Sequence, residues 1–181
     1  MLGNRSADRE VTQDGKPLCR ADLSSVDLRG LEREVGLTEG GMPRHSNFRF
    51  AFFTGADLRD AGLENFDLSG ASLDNANMSG VKLPNADLRH AFLGGANLTN
   101  ARLGAADMTG ADLGGANLRT ADLRGVILID ADLTDADLTG ADLTHADLSN
   151  ADLTGAKLSG AKLEVLEGAR GVPPHTRGGS P

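Results

Sequence analysis

Any chemistry in this chain must come from four histidines, one cysteine and many aspartates. A metal centre needs three or four His, Cys or carboxylate ligands converging on one point. His45, His90, His145 and His175 are scattered along the chain. Cys19 has no histidine close in sequence with which to form a nucleophilic pair. The aspartates recur singly, outside the kind of pocket that shifts a carboxyl pKa for acid–base work. The glycines fall at regular intervals rather than in GxGxxG or a phosphate-cradling loop. The expectation is a protein without catalytic site, metal or cofactor.

The composition points to a thin, regular interior. The chain has 181 residues and 39% apolar content, but no Trp, no Tyr, six Phe and 24 Gly. Its net charge is −8 and its isoelectric point about 4.9. Direct binding to nucleic acid is therefore disfavoured, while a basic, DNA-binding protein would be attracted. A single cysteine forms no intrachain disulfide. The opening MLGNRSADREVTQDGK contains no apolar run resembling a signal peptide, and no stretch reaches membrane-spanning length. A cytoplasmic protein is expected.

What must position the surface residues is a repeat of five. From Phe48 to Leu163 a large apolar residue recurs at every fifth position, with a small one, nearly always Ala, two places before it. The unit A(D/N)LXX is cleanest in ADLTDADLTGADLTHADLSNADLTG, 131–155. Five residues turn an α-helix by about 500°, which scatters the leucines around its axis. In an unbroken strand, odd spacing throws alternate leucines to opposite faces. Both objections vanish if the chain turns a corner once per repeat. Leu and Ala then point inward and three residues point out. The second residue after Leu is often Gly, as at Gly55, Gly70 and Gly80, and elsewhere Asn or Asp, which suits a tight turn.

This pattern is similar to that of the pentapeptide repeat family, over roughly residues 16–166. The resemblance implies an all-β fold, a right-handed quadrilateral parallel β-helix. It would have four pentapeptides, hence 20 residues, per coil and about seven to eight coils. Asn77, Asn97 and Asn117 recur at that spacing, as do Asp67, Asp87 and Asp107. The expected divisions are a polar segment at 1–15, the solenoid at 16–166 and a disordered Gly/Pro-rich tail at 167–181. Within the solenoid, 31–47 loses the Leu positions and reads as an irregular coil or loop. His45 and His145 would share a face but lie five coils apart, about 24 Å at sheet spacing.

The candidate partner-binding residues are outward ones. Asp67, Asp87, Asp107 and Asp147 fall on one face, and Asp112, Asp132 and Asp152 on the next. Between Arg124 and Lys157 there is no Lys or Arg, and Asp137 and Asp142 join the acidic run there. Phe52 and Phe92 are outward on one face with Ser72 between them. Ile127 and Ile129 interrupt the aspartate ladder of another. Exposed apolar groups of this kind mark contacts, or pack beneath neighbouring loops. Phe66, at an Ala site, is expected to swell the core locally.

Two functions follow. The resemblance implies an acidic rod that looks like DNA and binds DNA gyrase or topoisomerase IV, protecting it from quinolones or a topoisomerase toxin. Such members usually carry many central Phe and end in a hydrophobic dimerisation element. Here the centre is almost all Leu and the end polar, so a homodimer has no clear dimerisation element. The alternative is a structural scaffold or regulatory protein-binding module with another partner.

Overall fold

Every fifth residue turns a corner. In the computed structural model, which describes residues 48–163 and 169–171, the second residue after each central Leu has positive φ at every repeat from Phe50 to Gly160. Each corner is a hydrogen-bonded turn with this residue third: the Ala56 N–H donates to the Phe53 C=O at 2.8 Å across Gly55, φ 68°. A left-handed backbone is easy for Gly and tolerable for Asn or Asp. Yet His90, Ala105, Thr120 and His145 adopt it too. The sequence pattern of Gly, Asn and Asp is thus a preference, and the 20-residue register imposes the conformation on whatever stands there. Thr120, at φ 55°, is a costly case because its branched Cβ crowds the backbone.

Between corners the chain is extended for a short stretch and pairs with the coils on either side. Parallel bridges join positions 20 apart, from Phe52↔Ser72 to Asp142↔Lys162. Asn77 shows the arrangement: its N–H donates to the Ala56 C=O at 2.8 Å, and its C=O accepts from the Leu58 N–H at 2.8 Å. Coil therefore lies on coil about 4.8 Å apart, and outward residues form columns along the rod. Ala169–Gly171, which fall in the stretch expected to be a tail, rejoin the ladder: Arg170 bridges Asp152.

The interior is a continuous aliphatic column. Leu73, Met78, Leu83, Leu88, Leu93 and Leu98 are fully buried, and the alanines beside them are equally closed to solvent. Each buried Leu contributes about 1.5–3 kcal/mol. Phe66 does enlarge the core: it stacks on Phe48 with centroids 5.4 Å apart, and Phe48 meets Phe53 edge-on at 5.6 Å. No buried side-chain nitrogen or oxygen among the described residues lacks a hydrogen-bond partner. Likewise, no helix among them is long and apolar enough to cross a membrane. The expected segments at 1–15 and 31–47, the first coil between them and the end of the tail lie outside the described residues.

Candidate partner-binding faces

The 20-residue register sorts the outward residues into four faces. Face 1 carries the rungs 67, 87, 107, 127 and 147, and face 2 carries 52, 72, 92, 112, 132 and 152. Face 3 carries 57, 77, 97, 117, 137 and 157, and face 4 carries 62, 82, 102, 122, 142 and 162. The residue after each central Leu lies on the same face as the rung before it, and the next residue forms the corner.

Face 1 holds aspartates that the chain largely neutralises itself. Arg89 clamps Asp87 with two parallel bonds, Nε to Oδ1 at 2.9 Å and Nη2 to Oδ2 at 2.6 Å. The same guanidinium lies 3.9 Å from Asp107, and Arg49 lies 3.9 Å from Asp67. The clamp holds Asp87 below the usual carboxylate range and raises Arg89. Asp147 has a different partner, the Ser149 hydroxyl at 2.6 Å, which lowers its pKa. Ile127 replaces a rung between Asp107 and Asp147 and is 36% exposed, whereas Ile129 is half-buried.

Face 2 is different in kind. From Phe52 to its corner at Gly155 it carries no Lys or Arg, but Asp74, Asp112, Asp132, Asp135 and Asp152. Asp112, Asp132 and Asp152 occupy successive rungs and accept the backbone N–H two residues on, at 2.9, 2.8 and 2.9 Å. The Thr154 hydroxyl, at 2.6 Å, chiefly lowers Asp152, and Arg170 adds to the effect. Below them on the same face stand Phe52 and Phe92, about half exposed, with Ser72 between.

Faces 3 and 4 are balanced. Asp137 lies 3.3 Å from Arg119 and 3.9 Å from Lys157, and Asp142 lies 3.0 Å from Lys162. Asp57 and Asp122 pair with Arg59 and Arg124, each at 2.7 Å. Asp137 is lowered first by the Thr139 hydroxyl, and Asp122 by Arg124. Thr144 and then Lys162 hold Asp142 to about 2. The acidic run of the sequence thus divides in space. Asp112, Asp132 and Asp152 come together, while Asp137 and Asp142 point to other sides and meet cations. Sequence reasoning missed Phe50, 45% exposed at the corner of faces 1 and 2 with Arg49 5.5 Å from its ring centroid, and also Asp74 beside Ser72. Sorting all three outward positions by twenties, rather than chiefly the rungs, would have found both.

These carboxylates have a consequence for stability. The folded pKa values of Asp87, Asp122, Asp137, Asp142, Asp147 and Asp152 lie below the unfolded Asp value of about 3.9, so the stability these groups add is full above about pH 4 and is lost as protons bind. The melting temperature is expected to be flat from neutrality to about pH 5 and to fall between about pH 4 and pH 2. A melting temperature that rises on acidification through that window contradicts this assignment.

Among the described residues, no group of three His, Cys, Asp or Glu can hold a metal ion. Hydrogen-bonded coils stacked around an aliphatic axis define a β-solenoid, and between Phe52 and Gly155 one of its sides carries acids and no Lys or Arg. The chain belongs to the pentapeptide repeat family: the Pentapeptide repeats pattern matches in eight copies, over residues 44–75, 53–89, 63–100, 86–125, 101–140 and 127–164. Among solved structures, it is similar to a pentapeptide repeat protein from Nostoc Pcc 7120, with 52% identity and TM-score 0.43 over 44% of this chain and 65% of that one. The match therefore spans slightly less than two thirds of that relative. It is also similar to QnrB1, a plasmid-mediated fluoroquinolone resistance protein, with 21% identity and TM-score 0.47 over 82% of this chain and 76% of the other. HetL, involved in heterocyst differentiation regulation in the cyanobacterium Nostoc sp. Strain PCC 7120, aligns with 29% identity and TM-score 0.34 over 85% of this chain and 82% of its own. No curated protein matches the chain.

Proposed function

We propose that the chain is a non-enzymatic, cytoplasmic interaction protein whose acidic flank competes with duplex DNA for a basic protein surface, that of DNA gyrase or topoisomerase IV. With this reading goes the right-handed, four-sided winding over about seven to eight coils that the family resemblance implies. The observation that carries it is the composition of face 2: a column of carboxylates at strand spacing, with no Lys or Arg on that face between Phe52 and Gly155 and Arg170 meeting only its end at Asp152. Duplex DNA presents one charge per roughly 1.7 Å along its axis, and carboxylates on successive coils recur about every 4.8 Å. The rungs Asp112, Asp132 and Asp152 are held from behind by backbone amides, so the charge is pre-positioned and little order is lost on binding.

The test is a gyrase supercoiling assay titrated with purified protein, with and without a quinolone. Inhibition or protection at micromolar protein supports the reading, and the absence of both removes it. One observation favours a second reading, a scaffold or regulatory module with a different partner. Faces 3 and 4 pair their acids with Arg and Lys, whereas DNA is charged on every side. No effect on gyrase, with binding of a different basic protein through face 2, would select it.

A further inference from the structure

Phe52, Ser72 and Phe92 are consecutive rungs of face 2. The two rings are 49% and 50% exposed and stand two coils apart, about 9.6 Å at sheet spacing. Between them the Ser72 hydroxyl donates to Asp74 Oδ2 at 2.9 Å and lies 3.0 Å from the Thr54 hydroxyl. The notch so formed has two aromatic walls and a polar floor backed by one carboxylate.

Its chemistry selects one kind of guest. A group seated over Ser72 lies about 4.8 Å from each flanking rung, inside the roughly 6 Å reach of a cation–aromatic contact. An anion would meet Asp74 beside the floor and Asp112 on the rung beyond Phe92. A purely apolar guest would cut the Ser72–Asp74 pair off from water with nothing in return. A guanidinium satisfies both halves, because its faces stack on rings while its edge N–H groups reach a carboxylate. No Lys or Arg of face 2 between Phe52 and Gly155 competes for the place. The chain makes the same kind of contact within itself one corner away, where Arg49 lies over the Phe50 ring.

We propose that the Phe52–Ser72–Phe92 notch is a receptor for a single arginine side chain of a basic protein partner. The proposal rests on the reading of face 2 as the partner surface, and not on which partner that is.

The experiment titrates the full chain with fluorescent hexa-arginine and hexa-lysine peptides of equal charge. Hexa-arginine is expected to bind about fivefold more tightly, because a planar guanidinium can stack on the rings while its edge N–H groups reach Asp74, which a lysine ammonium cannot do at once. Changing Phe52→Leu together with Phe92→Leu keeps apolar bulk and removes the rings, and should bring the two peptides to equal affinity. An Asp112→Asn, Asp132→Asn pair should weaken both peptides alike and keep the preference. Equal binding by the unaltered protein, or a preference that survives loss of both rings, overturns the proposal. The topoisomerase reading fails separately. No effect on gyrase with the arginine preference intact removes that reading and leaves the notch. Gyrase inhibition without any arginine preference does the reverse.

Discussion

A Leu98→Lys variant is expected to lose the cooperative thermal transition of the intact rod. Leu98 is fully buried, and by register its neighbours along the axis are Met78 and Leu118, both inside the core. Among the described residues the inward positions hold only Ala, Val, Leu, Met and Phe, so an ammonium group there finds neither counter-ion nor acceptor. Burying an unpaired charge costs several kcal/mol, against a total stability of about 5–15 kcal/mol for an ordinary domain. In a solenoid each coil is stabilised mainly by its neighbours, so a break in the middle also uncouples the two halves. Leu98→Ala, which only leaves a cavity, should cost about 2–5 kcal/mol and keep one transition at lower temperature. Melting followed by circular dichroism separates the three proteins. A lysine variant that melts like the unaltered chain would contradict the aliphatic axis.

The second large effect is expected on partner binding. Changing Asp112, Asp132, Asp135 and Asp152 to Asn removes most of the charge of face 2 and its corner. If the topoisomerase reading holds, about tenfold more protein should be needed for the same effect on gyrase, with a weaker dependence on salt. The fold should survive, because an amide oxygen can take the same backbone bond. Asn97 and Asn117 already do so, accepting from Thr99 and Arg119, each at 3.2 Å. Asp122, Asp137 and Asp142 form the control set: each already meets a cation, so their loss should leave the titration nearly unchanged. Equal losses from both sets would mean that overall charge, rather than face 2, governs the encounter.

The periodicity made the winding legible, because an apolar residue at every fifth place satisfies neither helix nor unbroken strand. Leu and Ala stand where that argument put them, and Phe66 enlarges the core as its place among small residues implied. The candidate site was less legible, for a physical reason. A rung and the residue two places on share a face, so Asp87 and Arg89, or Asp122 and Arg124, cancel locally. A tally of charge along the chain registers the sum and not the cancellation. It also merges Asp137 and Asp142 with Asp132 and Asp152, although corners between them turn these side chains to different sides. Phe50 escaped notice because a corner is expected to hold Gly, Asn or Asp, yet register carries a phenylalanine there with its ring lying over Gly70.

Every face assignment depends on the coil length of 20 residues, and engineered disulfides test it directly. In a chain whose Cys19 has been replaced by Ser, Thr99→Cys and Arg119→Cys stand on adjacent coils of one face. There the Asn100 N–H donates to the Arg119 C=O at 3.0 Å. Their Cα separation should fall in the range of about 4.4–6.8 Å that a disulfide spans, so mild oxidation should close the pair within one molecule. Thr99→Cys with Gly114→Cys, 15 residues apart, places the thiols on different faces and should leave them reduced. Closure of the second pair in preference to the first would show that the coils are not 20 residues long, and the four faces would dissolve with them.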